Sequence, residues 1–508
     1  LADKSADVRW LTVIAVALGT FMQVLDTTIA NVSIPTISGD LAVSADQGTW
    51  VITSFAVSNG ISVPLTGWLM QRFGVVRTFV AAVVLFTVAS GLCGLAWSLP
   101  SLVAFRVLQG AVSGPMIPGS QALLLMIFPP ERRAVGLAVW SMTTLVAPVV
   151  GPILGGYISD NWSWPWIFYI NLPVGIVSSL VCWRALKGRE TPTRQLPVDW
   201  WGFGLLVVWV GSLQIMLDKG KDLDWFDSPQ IVALAIVAAV GFAAFLIWEL
   251  TERHPIVDLS LFRSRNFTAA ALIMCLGYGV FFANLVLLPL LLQTQLGYTA
   301  TWAGLVAAPS GIVAVLLSPF IGRMTGRIDA RWLVGVALAA FAASYFMRAQ
   351  LTPQASVGSF ILPLAIQGVS MATFFVAVLA IMLQGLPQER VPSASGLSNF
   401  VRIVAGAFAA SVVTTAWDHR EALHQTQLAE AATRGTAGFE AATRALSSDG
   451  LTGTPALGAL AHDAASQAYF MGALDIFWLS GWFSIALALL LVLARPSRGA
   501  AGAAAAAD

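Results

Sequence analysis

The sequence predicts an all-α membrane protein: two six-helix bundles plus two additional transmembrane helices, 14 in total, with both termini cytoplasmic. Composition, apolar segmentation and the placement of basic residues carry that prediction. Of the 508 residues, 57% are hydrophobic and only 10% are charged. Soluble domains carry roughly 25% charged residues, so this chain lacks the charge to cover a water-facing surface. Its net charge of +1 offers nothing to a nucleic acid.

Fourteen apolar stretches reach the ~17–25 residues that a spanning helix needs. The first six are 10–34, 48–70, 78–97, 101–126, 134–157 and 165–183. An extra pair follows at 201–217 and 229–248. The last six are 268–292, 301–321, 332–350, 357–383, 393–416 and 469–494. The first stretch carries Asp26 and Asn31, with no small-residue cleavage site after it, and reads as a retained helix rather than a signal peptide. With the N-terminus inside, nineteen of the 27 basic residues fall in inner segments and six in outer loops. Arg106 and Arg402 remain within helices. That asymmetry follows the positive-inside rule, and one missed or invented helix would blur it.

An internal repeat fixes the organisation. Gln109-Gly110 followed by Glu131-Arg132 recurs as Gln367-Gly368 followed by Glu389-Arg390, an offset of 258. Gly67 and Arg72 recur as Gly322 and Arg327, offset by 255. The chain therefore divides into a first bundle at 10–183, a connector with the extra pair at 184–267, and a second bundle at 268–494. A disordered tail is expected at 495–508. Parallel repeats of this kind meet across a site near the bilayer midplane. Cys93, Cys182 and Cys275 each lie in an apolar run without a CxxC, which suggests small buried hydrophobes rather than a disulfide or metal site.

Charges inside hydrocarbon are costly and mark function. Asp26 and Arg106 lie at depths compatible with facing each other, and are the candidates for proton coupling; a fixed ion pair orienting two helices is the structural alternative. Asn399 and Arg402 share one face of the thirteenth helix. Arg402 could bind an anionic group, move as a counter-charge or cap a neighbouring helix. The fifth helix carries Pro148, Gly151, Pro152, Gly155 and Gly156; proline removes backbone hydrogen bonds and glycine allows close helix contact. Such a helix could seal two halves and still pivot. Cargo contacts are expected from Asn31, Gln109, Tyr278, Phe281, Asn284, Gln293, Phe374, Phe375, Asn399 and Arg402.

These residues resemble the major facilitator superfamily, specifically the fourteen-helix drug/proton antiporter family and its EmrB-like multidrug exporters. Leu25-Asp26-Thr27-Thr28-Ile29-Ala30-Asn31-Val32 through Pro35 is similar to the family's first-helix motif. Leu102, Arg106, Gln109 and Gly110 match its fourth-helix motif, and Gly151-Pro152 with Gly155-Gly156 its antiporter motif. The resemblance implies a major facilitator fold in the bacterial inner membrane and proton-coupled export of amphipathic small molecules. It also implies an EmrA-like periplasmic adaptor leading to an outer-membrane channel. No cofactor is expected beyond the proton gradient. The cytoplasmic gate would comprise Gly67, Arg72, Gly74 and Arg77, with Gly322, Arg327 and Arg331 as its counterpart. Here the chain departs from the pattern: Gln71 stands where an aspartate is usual, which puts a charge-relay gate in doubt.

The long segment 417–468 is expected to be a periplasmic loop of short helices interrupted by Gly435, Gly450 and Gly453, with His419 and His424 on its surface. No GxxxxGK[ST] loop supports an ATP-driven pump. No HExxH or GxSxG supports an enzyme. The alternatives within transport are export of one endogenous metabolite, such as a siderophore, and proton-coupled import.

Overall fold

The computed structural model describes residues 10–129, 132–195, 197–325, 327–387, 390–431, 439–440, 443–444 and 453–494. Glu131, Glu389, Gly435, Gly450 and the tail 495–508 lie outside the described residues, as do the side chains of Pro148 and Pro152. Among the described residues the fold is helical throughout, without strands. Twelve helices there are long and apolar enough to cross a membrane.

The first half opens with α1 (Trp10–Asp40), which continues through Pro35 rather than stopping at Ile34. The next segment is broken into α2 (Trp50–Ser62) and α3 (Thr66–Phe73) by a tight 3₁₀ turn at Val63–Leu65. Pro64 in that turn has no N–H to continue an α-helical ladder. Then come α4 (Val75–Gly94), α5 (Leu99–Ser113), α6 (Met116–Ile127), α7 (Arg133–Asn161) and α8 (Asn171–Leu186). The α2 and α5 helices approach closely because Gly110 has no side chain: a Cβ there would meet Ser58 Oγ at 2.0 Å and Phe55 O at 2.5 Å. Asn59 Nδ2 donates to Ser113 Oγ (2.6 Å) and Ser62 Oγ to Gly110 O (3.1 Å) across the same seam.

Between the halves stand α9 (Trp200–Lys219) and α10 (Pro229–Thr251). Their exposed Trp200, Trp201, Val240, Ile247 and Leu250 suit a lipid-facing surface. The second half comprises α11 (Arg265–Thr294), α12 (Ala300–Thr325), α13 (Ala330–Arg348), α14 (Val357–Leu383), α15 (Val391–Ala431) and α16 (Thr454–Leu487). The α15 and α16 helices run unbroken well beyond bilayer thickness, so 417–431 and 454–468 are helical extensions rather than a loop of short pieces. The extensions pack on each other: Trp417 Nε1 donates to Tyr469 O (2.7 Å), and His424 Nε2 meets Asp475 Oδ2 at 2.8 Å. His424 is therefore an interhelix partner rather than a surface residue, whereas His419 is exposed.

The apolar core is not uniform along the bundle. Toward the arginine-rich turns one cluster is continuous through both halves, joining Val63 and Met70 to Ala394 and Leu397. Toward the opposite end it divides. Leu25, Ile29, Val51 and Phe168 form one cluster in the first half. Leu287, Leu291, Phe360 and Phe477 form another in the second. The apolar core is thus shared by the halves at one end and divided between them at the other, although α7 and α12 still touch there at Ile153 and Gly304.

Candidate functional site

Asp26 lies fourteen residues before the end of α1, ~21 Å along its axis at 1.5 Å per residue, and close to the helix midpoint. It is fully buried, as is Arg106 on α5. Arg106 Nη1 donates to Asp26 Oδ2 at 2.5 Å and to Gln109 Oε1 at 2.7 Å. Its Nε donates to Val51 O at 3.0 Å. Phe55 and Phe168 lie under the guanidinium, 4.3 and 5.6 Å from ring centroid to Cζ. The other carboxylate oxygen, Oδ1, accepts from Gln109 Nε2 (3.1 Å) and from Asn171 Nδ2 (2.8 Å). Asn171 is held in turn by Ser90 Oγ (3.0 Å), which donates to Phe168 O (2.9 Å).

Five helices therefore supply one polar centre. Its three donors converge on Asp26, Arg106 on Oδ2 and Gln109 and Asn171 on Oδ1. The sequence brought Asp26, Arg106 and Gln109 forward, and the fold joins them. It did not bring forward Asn171 or Ser90, whose only signal was a polar side chain within an apolar run.

The glycines of α7 back this centre. A Cβ on Gly151 would meet Thr28 Oγ1 at 2.0 Å, and one on Gly155 would meet Ile29 O at 2.9 Å. Thr28 Oγ1 also reaches Ala147 O at 3.4 Å. Gly151 and Gly155 thus press on α1 within their own half, two residues from Asp26, rather than on the opposite half. Toward the second half, α7 presents Ile153 to Gly304 of α12. Gly156 is buried in the same helix.

Between the halves, Arg402 extends from α15 over Trp140 of α7 and Tyr278 of α11, 5.7 and 5.4 Å from the ring centroids. Its Nε has no hydrogen-bond partner. Asn399, one turn earlier, donates to Gln121 Oε1 of α6 at 3.1 Å and so bridges the halves. Tyr278 continues into a ring cluster with Phe281, Phe374 and Phe375, which are buried in the second half's core. Asn284 pairs with Ser480 (3.0 Å). Asn31 is exposed, and so is Gln293, whose amide returns to Pro289 O of its own helix. Trp140 was absent from the sequence reading because nothing local tells a half-interface tryptophan from a core one.

At the closed end, a Cβ on Gly67 would meet Ser393 Oγ at 2.5 Å and Cβ at 2.9 Å. Gln71 Nε2 donates to Ser393 Oγ (3.1 Å). On the connector, Glu190 accepts from the backbone N–H of Val76 (3.0 Å) and Arg77 (2.9 Å). It caps the start of α4, where the exposed N–H groups favour negative charge. Gly74 has φ +91° and a Cβ there would lie 2.3 Å from Glu190, so glycine is required twice over. Arg72 lies over Trp68 and Phe73, while the Arg77 side chain is exposed. On the second half Gly322 is buried and Arg327 exposed. Arg331 is bidentate to Asp329 Oδ2 (3.1 and 3.0 Å) and donates to Ala494 O (3.2 Å).

The sequence model of the Major Facilitator Superfamily matches residues 16–410. The chain belongs to that superfamily. It is 49% identical over 490 residues to the multidrug export protein EmrB of Escherichia coli (strain K12), covering 96% of each chain. It is 48% identical over 493 residues to the fatty acid resistance protein FarB of Neisseria gonorrhoeae, covering 97% of each. Among solved structures, the proton:xylose symporter XylE superposes with a TM-score of 0.61 at 13% identity, over 96% of each chain; that likeness speaks for the fold alone. As a major facilitator the chain is a multi-pass membrane transporter rather than an enzyme.

Proposed function

We propose that this chain is a proton-coupled antiporter that exports amphipathic and hydrophobic drugs across the bacterial inner membrane by alternating access. The buried Asp26–Arg106 pair carries the reading. A proton reaching Asp26 removes the negative charge that holds Arg106, and releasing Arg106 loosens α1 from α5. Protonation is thereby tied to the relation between helices that line the first half. The names of the relatives, a multidrug export protein and a fatty acid resistance protein, support export of amphiphiles.

In this reading the 50–73 segment and α7 also cross the bilayer, giving fourteen spans and two cytoplasmic ends. The sealed end bearing Gly67, Arg72 and Arg331 is then cytoplasmic, and the protein is in an outward-facing state. Arg402, Tyr278 and Trp140 meet cargo between the halves. The paired extensions of α15 and α16 reach toward an EmrA-like periplasmic adaptor that leads to an outer-membrane channel. No cofactor is needed: one unit charge falling through 100 mV yields ~2.3 kcal/mol, which supports roughly fifty-fold concentration of a neutral cargo.

Reconstituted into proteoliposomes with an imposed pH gradient, the wild type is expected to drive a labelled amphiphile against its own gradient. Asp26→Asn should still bind the amphiphile and lose the response to pH. Gradient-driven transport by Asp26→Asn would remove this residue from coupling. Indifference of the wild type to every gradient would remove antiport itself.

A further inference from the structure

The offset of 258 that relates the halves also relates their polar centres: Asp26 corresponds to Asn284 and Gln109 to Gln367. On the closing helices, after the inserted segment, Phe168 corresponds to Phe477 and Asn171 to Ser480. The contacts follow the same correspondence. Asn171 donates to Asp26 in the first half, and Asn284 donates to Ser480 in the second. Arg106 lies over Phe168, and a second arginine, Arg348, lies over Phe477 at 4.9 Å. The second half thus seats a cation on the equivalent ring, but α13 supplies it, and Leu364 occupies the position of Arg106.

What the second half lacks is the carboxylate. Arg348 is fully buried, and its Nε, Nη1 and Nη2 all lack a hydrogen-bond partner. The rings of Tyr345 and Phe477 cover it at 4.8 and 4.9 Å. They offer cation–π attraction but no counter-charge. The Tyr345 hydroxyl is the neutral polar group next to the guanidinium, and Gln367 Oε1 and Asn284 Oδ1 are further buried oxygens of this half without a hydrogen-bond partner. Buried polar groups in native proteins are nearly always satisfied, and an unsatisfied cluster points to a bound ion or water. A bare buried cation is the costliest member of such a cluster. A pocket of about 430 Å³, lined by Met347, Gln350, Ser356 and Pro363, opens beside the chain segment that carries Arg348.

We propose that Arg348 forms a binding site for a small monovalent anion, which enters from that pocket. In the second half the anion takes the electrostatic place that the Asp26 carboxylate holds in the first. The proposal does not depend on Asp26 carrying the transported proton.

Chloride is the probe. Purified full-length protein in chloride-free isethionate buffer is melted by its tryptophan fluorescence while chloride replaces isethionate at constant ionic strength. The wild type should show a saturable rise in melting temperature of ~2–4 °C. Arg348→Met should not respond. Asn284→Asp should melt near the chloride-saturated wild type without chloride, and gain nothing when it is added, because the chain now supplies its own anion. That variant also decides the matter if Arg348→Met does not fold. Absence of a chloride effect in the wild type, or an undiminished effect in Asn284→Asp, would overturn the site. So would an effect lost in Arg402→Gln but kept in Arg348→Met, which would move the anion to the interface between the halves.

Discussion

Asp26 shows how a charge survives in hydrocarbon: it is surrounded by three donors drawn from two other helices. Arg106 neutralises it, while Gln109 and Asn171 satisfy the remaining oxygen. Removing one member of a buried pair leaves the other uncompensated, at a cost of ~3–5 kcal/mol, whereas replacing both by apolar groups is often close to neutral. Arg106→Leu should therefore unfold at markedly lower denaturant than the wild type. Asp26→Leu combined with Arg106→Leu should recover most of that loss, and both variants should be inactive in transport. Equal destabilisation of the single and double variants would show that the pair does not hold the fold. Asn171→Ala should cost ~1.5–3 kcal/mol, the range for a hydrogen bond to a charged group, in the same unfolding measurement. The charged members of this centre were legible in the sequence because a charge in an apolar run is anomalous. Asn171 and Ser90 were not, since a neutral polar side chain in a helix usually satisfies itself locally. Glu190 was hidden for another reason: its partners are more than a hundred residues away in the chain, and only the fold shows that a connector residue caps α4.

At the scale of helices, small residues decide which surfaces can touch. Gly151 permits α7 to lie on Thr28, so Gly151→Ala must push α1 and α7 apart or displace the Thr28 hydroxyl. Overpacking of this sort costs ~1–3 kcal/mol, and the strain falls two residues from Asp26. Transport should drop by at least tenfold while membrane expression persists. Adding Thr28→Ala, which removes the nearest atom, should restore part of the activity. An active Gly151→Ala single variant would show that this contact is slack. Twelve of the fourteen expected apolar spans coincide with helices long and apolar enough to cross a membrane, because hydrophobic length survives without tertiary context. Element ends were less legible. The first helix passes through Pro35 to Asp40, and α15 continues to Ala431, because helices that pack on a neighbour can outrun the bilayer they cross. The glycine-rich face of α7 could be read as a contact surface, but its partner could not. Spacing identifies a flat helix face and says nothing of which helix lies on it.

The whole molecule is asymmetric along the bundle axis, with one shared core at the arginine-rich end and two separate cores at the other. Alternating access requires that this asymmetry reverse, so contacts at the sealed end must break and re-form in every cycle. Gly67 and Ser393 are the place to test it. A Cβ on Gly67 would lie 2.9 Å from that of Ser393, slightly inside the ~3.5–4.5 Å span of a disulfide. A half-ångström adjustment would let two cysteines bridge the halves. Cys93, Cys182 and Cys275 would first be replaced by alanine or serine. Gly67→Cys with Ser393→Cys should then cross-link under mild oxidant and lose transport, and recover it on reduction. Locked protein should still take up cargo from the open end, since that end is untouched. Full transport in the oxidised state would mean that these halves never separate here, and that the asymmetry of the core is fixed rather than one pose of a cycle.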